Sequence, residues 1–255
     1  MISNRAEWSG TADVTGLPGA LLVPEDAVIL PPAAAGYFLE EAVRHGAVLL
    51  QRQLVVRAGK GVVRLGNGAE LHGEAIVLAT GVETSLLPWL PIQKRKGHLL
   101  LTEPYPGFLS HQLVELGYLK SAHKLAGDSV AFNIQPRSNG QLLIGSSRQY
   151  GNENPAIDEP ILHAMLERAY SYMPKLRQVA TVRAWTGFRA ATPDKLPLIG
   201  PTEDSSVFLA VGFEGLGITS APGAARLLAD HLLRRPCAIP LEPYLPARFG
   251  WKEIA

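Results

Sequence analysis

A glycine-dense junction between an apolar run and a helical pattern constrains this chain more than any other feature. The run 207–211 has the composition of a buried strand, and the sequence Gly-Phe-Glu-Gly-Leu-Gly-Ile-Thr follows at 212–219. Glycine lets a backbone adopt positive φ and approach a ligand closely, and a helix N-terminus offers amide groups and a positive dipole end. The junction favours an α/β strand–turn–helix unit that holds a planar or anionic ligand. Tight packing of strand against helix is the alternative reason for the glycines.

Arg189 lies shortly before this junction, in the turn-rich sequence Gly-Phe-Arg-Ala-Ala-Thr-Pro-Asp. A guanidinium is always charged near neutral pH and binds a carboxylate through two parallel hydrogen bonds. Arg189 is therefore a candidate carboxylate anchor. A surface ion pair is the alternative, because Asp194 is close in sequence. We expect Thr192, Pro193 and Asp194 to shape the turn.

The N-terminal third and the C-terminal end have patterns typical of an α/β unit. A helix is predicted at 31–46, with Leu39 and Val43 facing inward, and a short buried strand at 47–50. A hairpin follows at 55–71, turning at Gly-Asn-Gly. Further buried strands are predicted at 74–81 and 207–211, and a last helix at 221–233.

The middle of the chain has a different pattern. Strand-like runs at 97–102 and 130–146, the second interrupted by Ser-Asn-Gly, alternate with turns. The stretch 158–172 has apolar residues at helical spacing and ends before Pro174. We expect an antiparallel sheet covered by one helix. The predicted fold class is therefore α/β, or mixed α+β.

Composition narrows the function classes. The chain has 255 residues, a net charge of +1 and one cysteine, Cys237. The near-zero charge argues against nucleic acid as a partner, and a single cysteine cannot form an internal disulfide or a multi-cysteine metal site. No metal site is predicted from the histidine spacing. The longest apolar runs are too short for a transmembrane helix, so we expect a soluble, cytoplasmic protein.

The segment 185–223 resembles the C-terminal flavin- and substrate-binding part of FAD-dependent amine oxidoreductases, the family of D-amino-acid oxidase and glycine oxidase. The resemblance extends over residues 20–249. It implies an FAD-binding domain, Rossmann-like and incomplete, formed by 20–91 and 185–249. An antiparallel-sheet substrate domain at 92–184 interrupts it, and residues 1–19 are a lead-in.

The resemblance also implies site residues, although no catalytic acid or base. Arg189 matches the arginine that anchors the substrate's α-carboxylate. The junction 212–219 matches the backbone against the pyrimidine edge of the flavin, and Val55 and the turn 79–81 match two contacts of the dinucleotide. The implied cofactor-binding residues are Val55, Ala79, Thr80, Gly81, Gly212, Phe213, Glu214, Gly215, Leu216, Gly217, Ile218 and Thr219.

Two departures from the family concern the substrate side. Members often carry histidine where this chain has Phe213, and glycine-oxidase-like members carry an aromatic hydroxyl where Asn133 stands. The second departure argues for a substrate other than glycine. Tyr118, His98 and His123 are further polar candidates, for which a structural role is favoured over a catalytic one. The candidate substrate-binding residues are Arg189, Asn133 and Tyr118.

The family's strand–GxGxxG–helix, which holds the ADP part of FAD, has no counterpart among the 25 glycines of this sequence. Three explanations are open: a fragment of an FAD oxidoreductase, a chain completed by a partner polypeptide, and a flavin-free remnant with a binding role. The sequence favours the first. The expected function is oxidation of an amino acid or secondary amine by hydride transfer to FAD. The alternative is an inactive subunit or interaction module that needs a partner chain.

Overall fold

The computed structural model describes residues 2–3, 19–117 and 127–250. The chain forms two compact units: unit 1 comprises residues 1–29 and 95–188, and unit 2 comprises residues 30–94 and 189–255. The described strands are β1 (Ile2–Ser3), β2 (Ala20–Leu21), β3 (Val55–Gly59), β4 (Val62–Leu65), β5 (Glu70–His72), β6 (Ile76–Leu78), β7 (Gln93–Thr102), β8 (Leu113–Val114), β9 (Ser129–Pro136), β10 (Leu142–Tyr150), β11 (Thr181–Ala191), β12 (Leu198–Pro201) and β13 (Val207–Val211). The described α-helices are α1 (Pro31–Arg44), α2 (Glu159–Tyr172) and α3 (Gly217–Leu232). Short 3₁₀ helices lie at Pro174–Gln178, Glu242–Tyr244 and Pro246–Phe249.

Unit 1 is a five-stranded sheet in the order β11-β7-β10-β9-β8, with α2 packed on it. The pairs β7–β10, β9–β10 and β8–β9 are antiparallel, and a turn at 138–140 joins β9 to β10. Asp158 caps α2 by accepting a hydrogen bond from the Ile161 amide, which satisfies an amide that the helix itself leaves open. Met165 and Ala169 of α2 are fully buried against Phe132 and Ile134 of β9.

Unit 2 is built around the sheet β12-β13-β6. Strands β6 and β13 are parallel, with Ile76 opposite Val207 and Leu78 opposite Leu209, while β12 is antiparallel to β13. Helix α3 packs on this sheet through Ala224, a residue of the core cluster that also holds Ile199 and Phe208. A separate antiparallel sheet, β3-β4-β5, completes the unit.

Most elements agree with the sequence patterns, and the mixed class with antiparallel sheets is confirmed. The turns at 66–68 and 138–140 join the expected antiparallel strands. Helix α3 begins at Gly217, four residues before the predicted start. The lead-in prediction for 1–19 falls mostly outside the described residues, although Ile2–Ser3 pairs with Ala20–Leu21.

Two predictions for unit 2 are wrong, and both concern burial. Helix α1 forms at Pro31–Arg44 but has no buried residue, and the expected inward positions Leu39 and Val43 are 49% and 47% exposed. Residues 47–50 form no strand, and Val48 is 83% exposed. A buried parallel strand requires neighbouring strands and covering helices, and the described part of unit 2 supplies none to this segment.

Candidate functional site

The parallel pairing of β6 and β13 brings two of the sequence-predicted segments to one edge of a sheet. Leu78 is in register with Leu209, so the chain leaves both strands at the same edge. The turn 79–81 follows β6, and the junction 212–219 follows β13. Ligands of α/β sheets bind at the carboxyl ends of the strands. This edge of unit 2 is therefore the candidate site.

Gly212 makes the sharp exit from β13 possible. Its φ is +81°, a left-handed value that a side chain disfavours. An added Cβ would lie 2.7 Å from Thr192 Cγ2 and 3.3 Å from Ile92 Cδ1. Both the backbone angle and the close packing thus require glycine here. Tight packing, the alternative reason for the glycines, therefore accounts for Gly212.

The next residues fold the junction back against the end of β11. Phe213 bridges Ala191 in antiparallel fashion, and the Glu214 amide donates to the Ala190 carbonyl at 2.8 Å. Glu214 also has a positive φ of +48°. No local sequence signal marked this pairing, because its two segments are more than twenty residues apart.

The same pairing brings Arg189 to the junction. A Cβ built on Gly215 would lie 3.9 Å from Arg189 Cδ and 4.0 Å from Arg189 Nε, so the arginine side chain runs alongside this glycine. Arg189 is half-buried, whereas Gly215 and Leu216 are exposed. The structure therefore brings the candidate anchor and the candidate flavin-binding turn together.

The N-terminus of α3 presents its backbone at this place. Leu216 is the N-cap and makes no side-chain cap hydrogen bond, and the first intrahelical bond is donated by the Ser220 amide to the Leu216 carbonyl. The amides of Gly217, Ile218 and Thr219 therefore have no acceptor within the helix. A helix N-terminus attracts negatively charged or electron-rich groups. The pyrimidine edge of the flavin ring of FAD is such a group, so the chemistry of this junction fits it.

The turn after β11 is fixed by a distant arginine that the sequence analysis missed. Arg248 Nε and Nη2 donate to the two carboxylate oxygens of Asp194 at 2.6 and 3.1 Å, and Nη2 also donates to the Leu196 carbonyl. Thr192 Oγ1 donates to the same carbonyl at 2.8 Å. Partial burial opposes ionisation of Asp194, but the hydrogen bonds from Arg248 and the Leu196 amide outweigh it and lower the pKa of Asp194. Thr192 and Asp194 thus shape the turn, as expected.

The turn after β6 is compact, and the other predicted dinucleotide contact lies elsewhere in unit 2. Thr80 Oγ1 donates to the Glu83 carbonyl at 2.6 Å, and Gly81 has a φ of +63° with open space where a Cβ would stand. Ala79 and Gly81 are exposed. Val55 begins β3 in the separate three-stranded sheet, and its contact with a cofactor stays a prediction.

The substrate-side candidates belong to unit 1. Asn133 lies on β9 opposite Gly145, and its Oδ1 accepts a hydrogen bond from Gln112 Nε2 at 3.3 Å. Its role toward a substrate stays a prediction. Tyr118 and His123 lie outside the described residues.

His98 is part of a buried polar cluster in unit 1. Its Nε2 accepts from the Asp158 amide at 3.0 Å, and its Nδ1 is 2.8 Å from Ser147 Oγ. The acceptor role of Nε2 places the ring proton on Nδ1. Burial and the nearby Lys96 ammonium lower the pKa of His98, against the opposing effect of Asp158. His98 thus ties β7 to the start of α2, which is the structural role favoured by the sequence.

Among the residues that the structure describes, no group of three or more His, Cys, Asp or Glu side chains could hold a metal ion. No helix within the described ranges is long and apolar enough to cross a membrane.

Comparisons with known proteins point to one family. The family model described as FAD dependent oxidoreductase matches residues 3–231. Hydrogen cyanide synthase subunit HcnC of Pseudomonas aeruginosa is 28% identical over 243 residues, which cover 91% of this chain and 55% of that protein. Glycine oxidase of Geobacillus kaustophilus is 29% identical over 236 residues, which cover 89% of this chain and 59% of that protein.

The fold comparison agrees. The crystal structure of glycine oxidase from Geobacillus kaustophilus superposes with a TM-score of 0.77 at 26% identity, covering 90% of this chain and 61% of that one. The chain thus spans little more than half the length of these two curated relatives.

Proposed function

This chain belongs to the family of FAD-dependent oxidoreductases, whose cofactor is FAD, and on that premise we propose that it oxidises an amino acid or a secondary amine. The observation that carries the proposal is the position of Arg189 alongside Gly215, at the carboxyl edge of the β6–β13 pair. A carboxylate anchor next to a helix N-terminus suits a small amino acid held beside a flat ring. The similarity to glycine oxidase supports this substrate class.

Different residues of unit 2 would bind the cofactor and the substrate. The amides at the start of α3, Gly217 to Thr219, would hold the polar edge of the flavin ring, and the turn 79–81 would lie along the dinucleotide. Arg189 would bind the substrate's carboxylate through its two parallel N–H groups. When bound, FAD supplies a two-electron acceptor for the carbon–hydrogen bond beside the amine nitrogen. No protein base is assigned, so positioning is the chief contribution of the chain.

Substrate selection is the less specific part of the proposal. Asn133 and Tyr118 are proposed as contacts on the substrate side. An amide at position 133 provides both a donor and an acceptor, which would suit a substrate with more polar groups than glycine. A cytoplasmic location is also part of the proposal, in keeping with the single cysteine.

Flavin binding is the first test. The purified full chain is incubated with FAD and passed through gel filtration, and the absorption spectrum of the protein peak is recorded. The proposal expects a flavin spectrum that co-elutes with the chain, alone or with a completing partner. A peak that stays colourless in both cases would refute the cofactor assignment.

Arg189 is the second test, with amine substrates of equal size that do or do not carry a carboxylate. Arg189→Ala should weaken the apparent affinity for the carboxylate-bearing amine by about 2–3 kcal/mol, roughly 30- to 150-fold, because a charge-assisted pair is lost. Arg189→Lys should recover part of the lost affinity. Arg177→Ala, which removes an exposed arginine of unit 1, is the matched control. Equal losses with both amines would exclude the anchor role.

A second candidate function is a non-catalytic subunit or interaction module. The exposed apolar face of α1 favours it. A folded chain that never binds added FAD, yet forms a stable complex with another polypeptide, would select this alternative.

A further inference from the structure

Two hairpin turns, one in each unit, place an asparagine directly before a glycine. Asn67-Gly68 lies between β4 and β5, and Asn139-Gly140 lies between β9 and β10. Asparagine is a chemically labile residue, because the amide nitrogen of the following residue is able to attack its side-chain carbonyl carbon. A following glycine favours this attack, since it has no side chain to hinder the approach. The two turns are therefore the candidate sites of a covalent modification.

The backbone geometry of the two turns is the same. In each turn the glycine amide donates to the carbonyl of the residue three positions earlier at 2.9 Å, and the amide of that earlier residue donates to the carbonyl four positions later at 2.8 Å. Both glycines have a left-handed φ, +88° for Gly68 and +84° for Gly140. Each asparagine Oδ1 also accepts from the amide two residues later, at 3.0 Å from Ala69 and 3.1 Å from Gln141. Both are thus three-residue hairpin loops with a left-handed last residue, and backbone conformation does not distinguish them.

The side-chain nitrogen of the asparagine does distinguish the two turns. Asn139 Nδ2 donates to Gln141 Oε1 at 2.8 Å, and Gln141 is itself held by a bond from its Nε2 to the Thr102 carbonyl at 3.0 Å. Within the described ranges, no residue accepts a hydrogen bond from Asn67 Nδ2. This nitrogen leaves as ammonia in the modification, so a hydrogen bond that holds it slows the reaction.

The two glycines also differ in their surroundings. A Cβ built on Gly140 would lie 3.0 Å from Pro106 Cγ, and the Gly140 carbonyl accepts a hydrogen bond from the Tyr105 amide at 2.8 Å. Gly68 is exposed, and a Cβ built on it would have no atom of a non-neighbouring residue within 4 Å. The peptide group between Asn67 and Gly68 therefore has more room to rotate into the attacking geometry than its counterpart in unit 1.

We infer that Asn67 is a site of spontaneous deamidation, and that its hydrogen bond to Gln141 protects Asn139. In the first step Gly68 N bonds to Asn67 Cγ, the bond from Cγ to Nδ2 breaks, and ammonia leaves with the proton that Gly68 N gives up. One water molecule then opens the succinimide ring at either carbonyl, which gives aspartate or isoaspartate with no change of oxidation state. The inference goes beyond the proposed function and does not depend on it.

The products change both the charge and the backbone of this turn. Either product replaces a neutral amide by a carboxylate, which lowers the net charge of +1 by one unit. Isoaspartate also adds a carbon atom to the main chain between positions 67 and 68. The bond from the Leu65 amide to the Ala69 carbonyl closes the hairpin at its present length. The longer turn should therefore loosen the pairing of β5, a short strand that is exposed throughout.

The test is an incubation of the full chain at mildly alkaline pH in heavy-oxygen water, followed by peptide mass spectrometry. The isotope marks products that form during the incubation, and fragmentation distinguishes aspartate from isoaspartate. Labelled products should form at position 67 about tenfold or more faster than at position 139. The same incubation in urea should bring the two rates within about threefold of each other, because both asparagines precede glycine and the folded turns are lost.

A variant isolates the hydrogen bond that protects Asn139. Gln141→Ala frees the Asn139 amide nitrogen and keeps the backbone bond to Oδ1, so the rate at position 139 should rise about three- to tenfold. The rate at position 67 should change less than about twofold. Gln112→Ala, which removes another half-buried glutamine of unit 1, is the matched control and should leave both rates unchanged.

Three results would each overturn the inference. They are conversion at position 139 as fast as at position 67 in the folded chain, no conversion at position 67 unless urea is present, and an unchanged rate at position 139 in folded Gln141→Ala. Circular dichroism checks the folding of each variant, and the comparison of the folded and urea-treated parent chain decides even if a variant does not fold. No measurement requires FAD or a substrate, so this outcome and that of the proposed function are independent.

Discussion

Helices α1 and α2 have the same length and similar apolar patterns, yet only α2 is buried. Met165 and Ala169 of α2 are fully enclosed by the sheet of unit 1, whereas α1 in unit 2 has no buried residue. Both sequences have the periodicity of a helix with one inward face. The difference teaches that periodicity determines which side of a helix is able to be buried, while the presence of neighbouring elements determines whether it is.

The two helices also differ at their starts. Asp158 caps α2 with its side chain, whereas Leu30 precedes α1 without a side-chain cap, and prolines at the first turn replace that signal. α2 is therefore specified by its cap and its packing. α1 has no buried residue to add to its local sequence, and isolated helices of this length are marginal in water.

The largest expected effect lies in the packed helix. Met165→Ala should lower the free energy of unfolding by about 2–5 kcal/mol, because a fully buried side chain leaves a cavity in the core of unit 1. Urea denaturation followed by circular dichroism measures the change. A loss below about 0.5 kcal/mol would mean that α2 is not held by its buried stripe.

The second effect concerns the candidate site in unit 2, which is tightly packed around Gly212 although α1 is exposed. Gly212→Ala should destabilise by about 2–4 kcal/mol, because the left-handed backbone and the contact with Thr192 Cγ2 both oppose a Cβ. Gly81→Ala, with a positive φ but open space around the Cβ, should cost only about 1–2 kcal/mol.

A double variant separates the two causes at Gly212. Adding Thr192→Ser removes the clashing methyl group and should bring Gly212→Ala close to the cost of Gly81→Ala. If the double variant is no more stable than the Gly212→Ala single variant, the contact with Thr192 is not the reason for glycine.

The third effect is a pH dependence that belongs to the start of α2. The pKa of His98 is lowered in the folded chain, so the unfolded chain binds the proton more readily. The stability that neutral His98 contributes should therefore be fully present above the unfolded-state pKa near 6.5. It should decrease as the pH falls from there toward the lower pKa of the folded chain. Urea denaturation at several pH values measures this slope.

His98→Gln should flatten that slope, because the titrating ring is removed while a side-chain acceptor is kept. His163→Gln, which changes an exposed histidine of α2 itself, should leave the slope unchanged. A slope that persists in His98→Gln would assign the acid sensitivity to other groups.

The smallest effect is expected in the exposed helix. Leu39→Ala should change the stability of the chain alone by no more than about 0.5 kcal/mol, since its side chain is 49% exposed. A loss above about 2 kcal/mol in the free chain would show that α1 is packed in solution.

An element is predictable from the sequence when the interactions that form it join residues close together in the chain. Four elements are encoded in consecutive residues, and all were predicted: the strand 207–211, the turns at 66–68 and 138–140, and the helix near 158–172. The segment 47–50 was mispredicted because a strand needs a partner that its own sequence does not contain. The start of α3 was placed four residues too late, and Pro222 lies inside the helix.

The candidate site was predicted in the same uneven way. Arg189 and the glycines of 212–217 were identified from a motif, and the structure brings Arg189 beside Gly215. The link between Asp194 and Arg248 spans 54 residues and left no local pattern. Such a contact becomes visible only when the two segments are folded together.

That long-range link gives the C-terminal region an influence on the site. Arg248 ties the 3₁₀ helix Pro246–Phe249 to the turn that begins three residues after Arg189. Proteolytic trimming upstream of Arg248 would release this turn and with it the backbone that sets the direction of the guanidinium. Under the proposed function, loss of the contact between Arg248 and Asp194 should therefore weaken the affinity for the substrate's carboxylate.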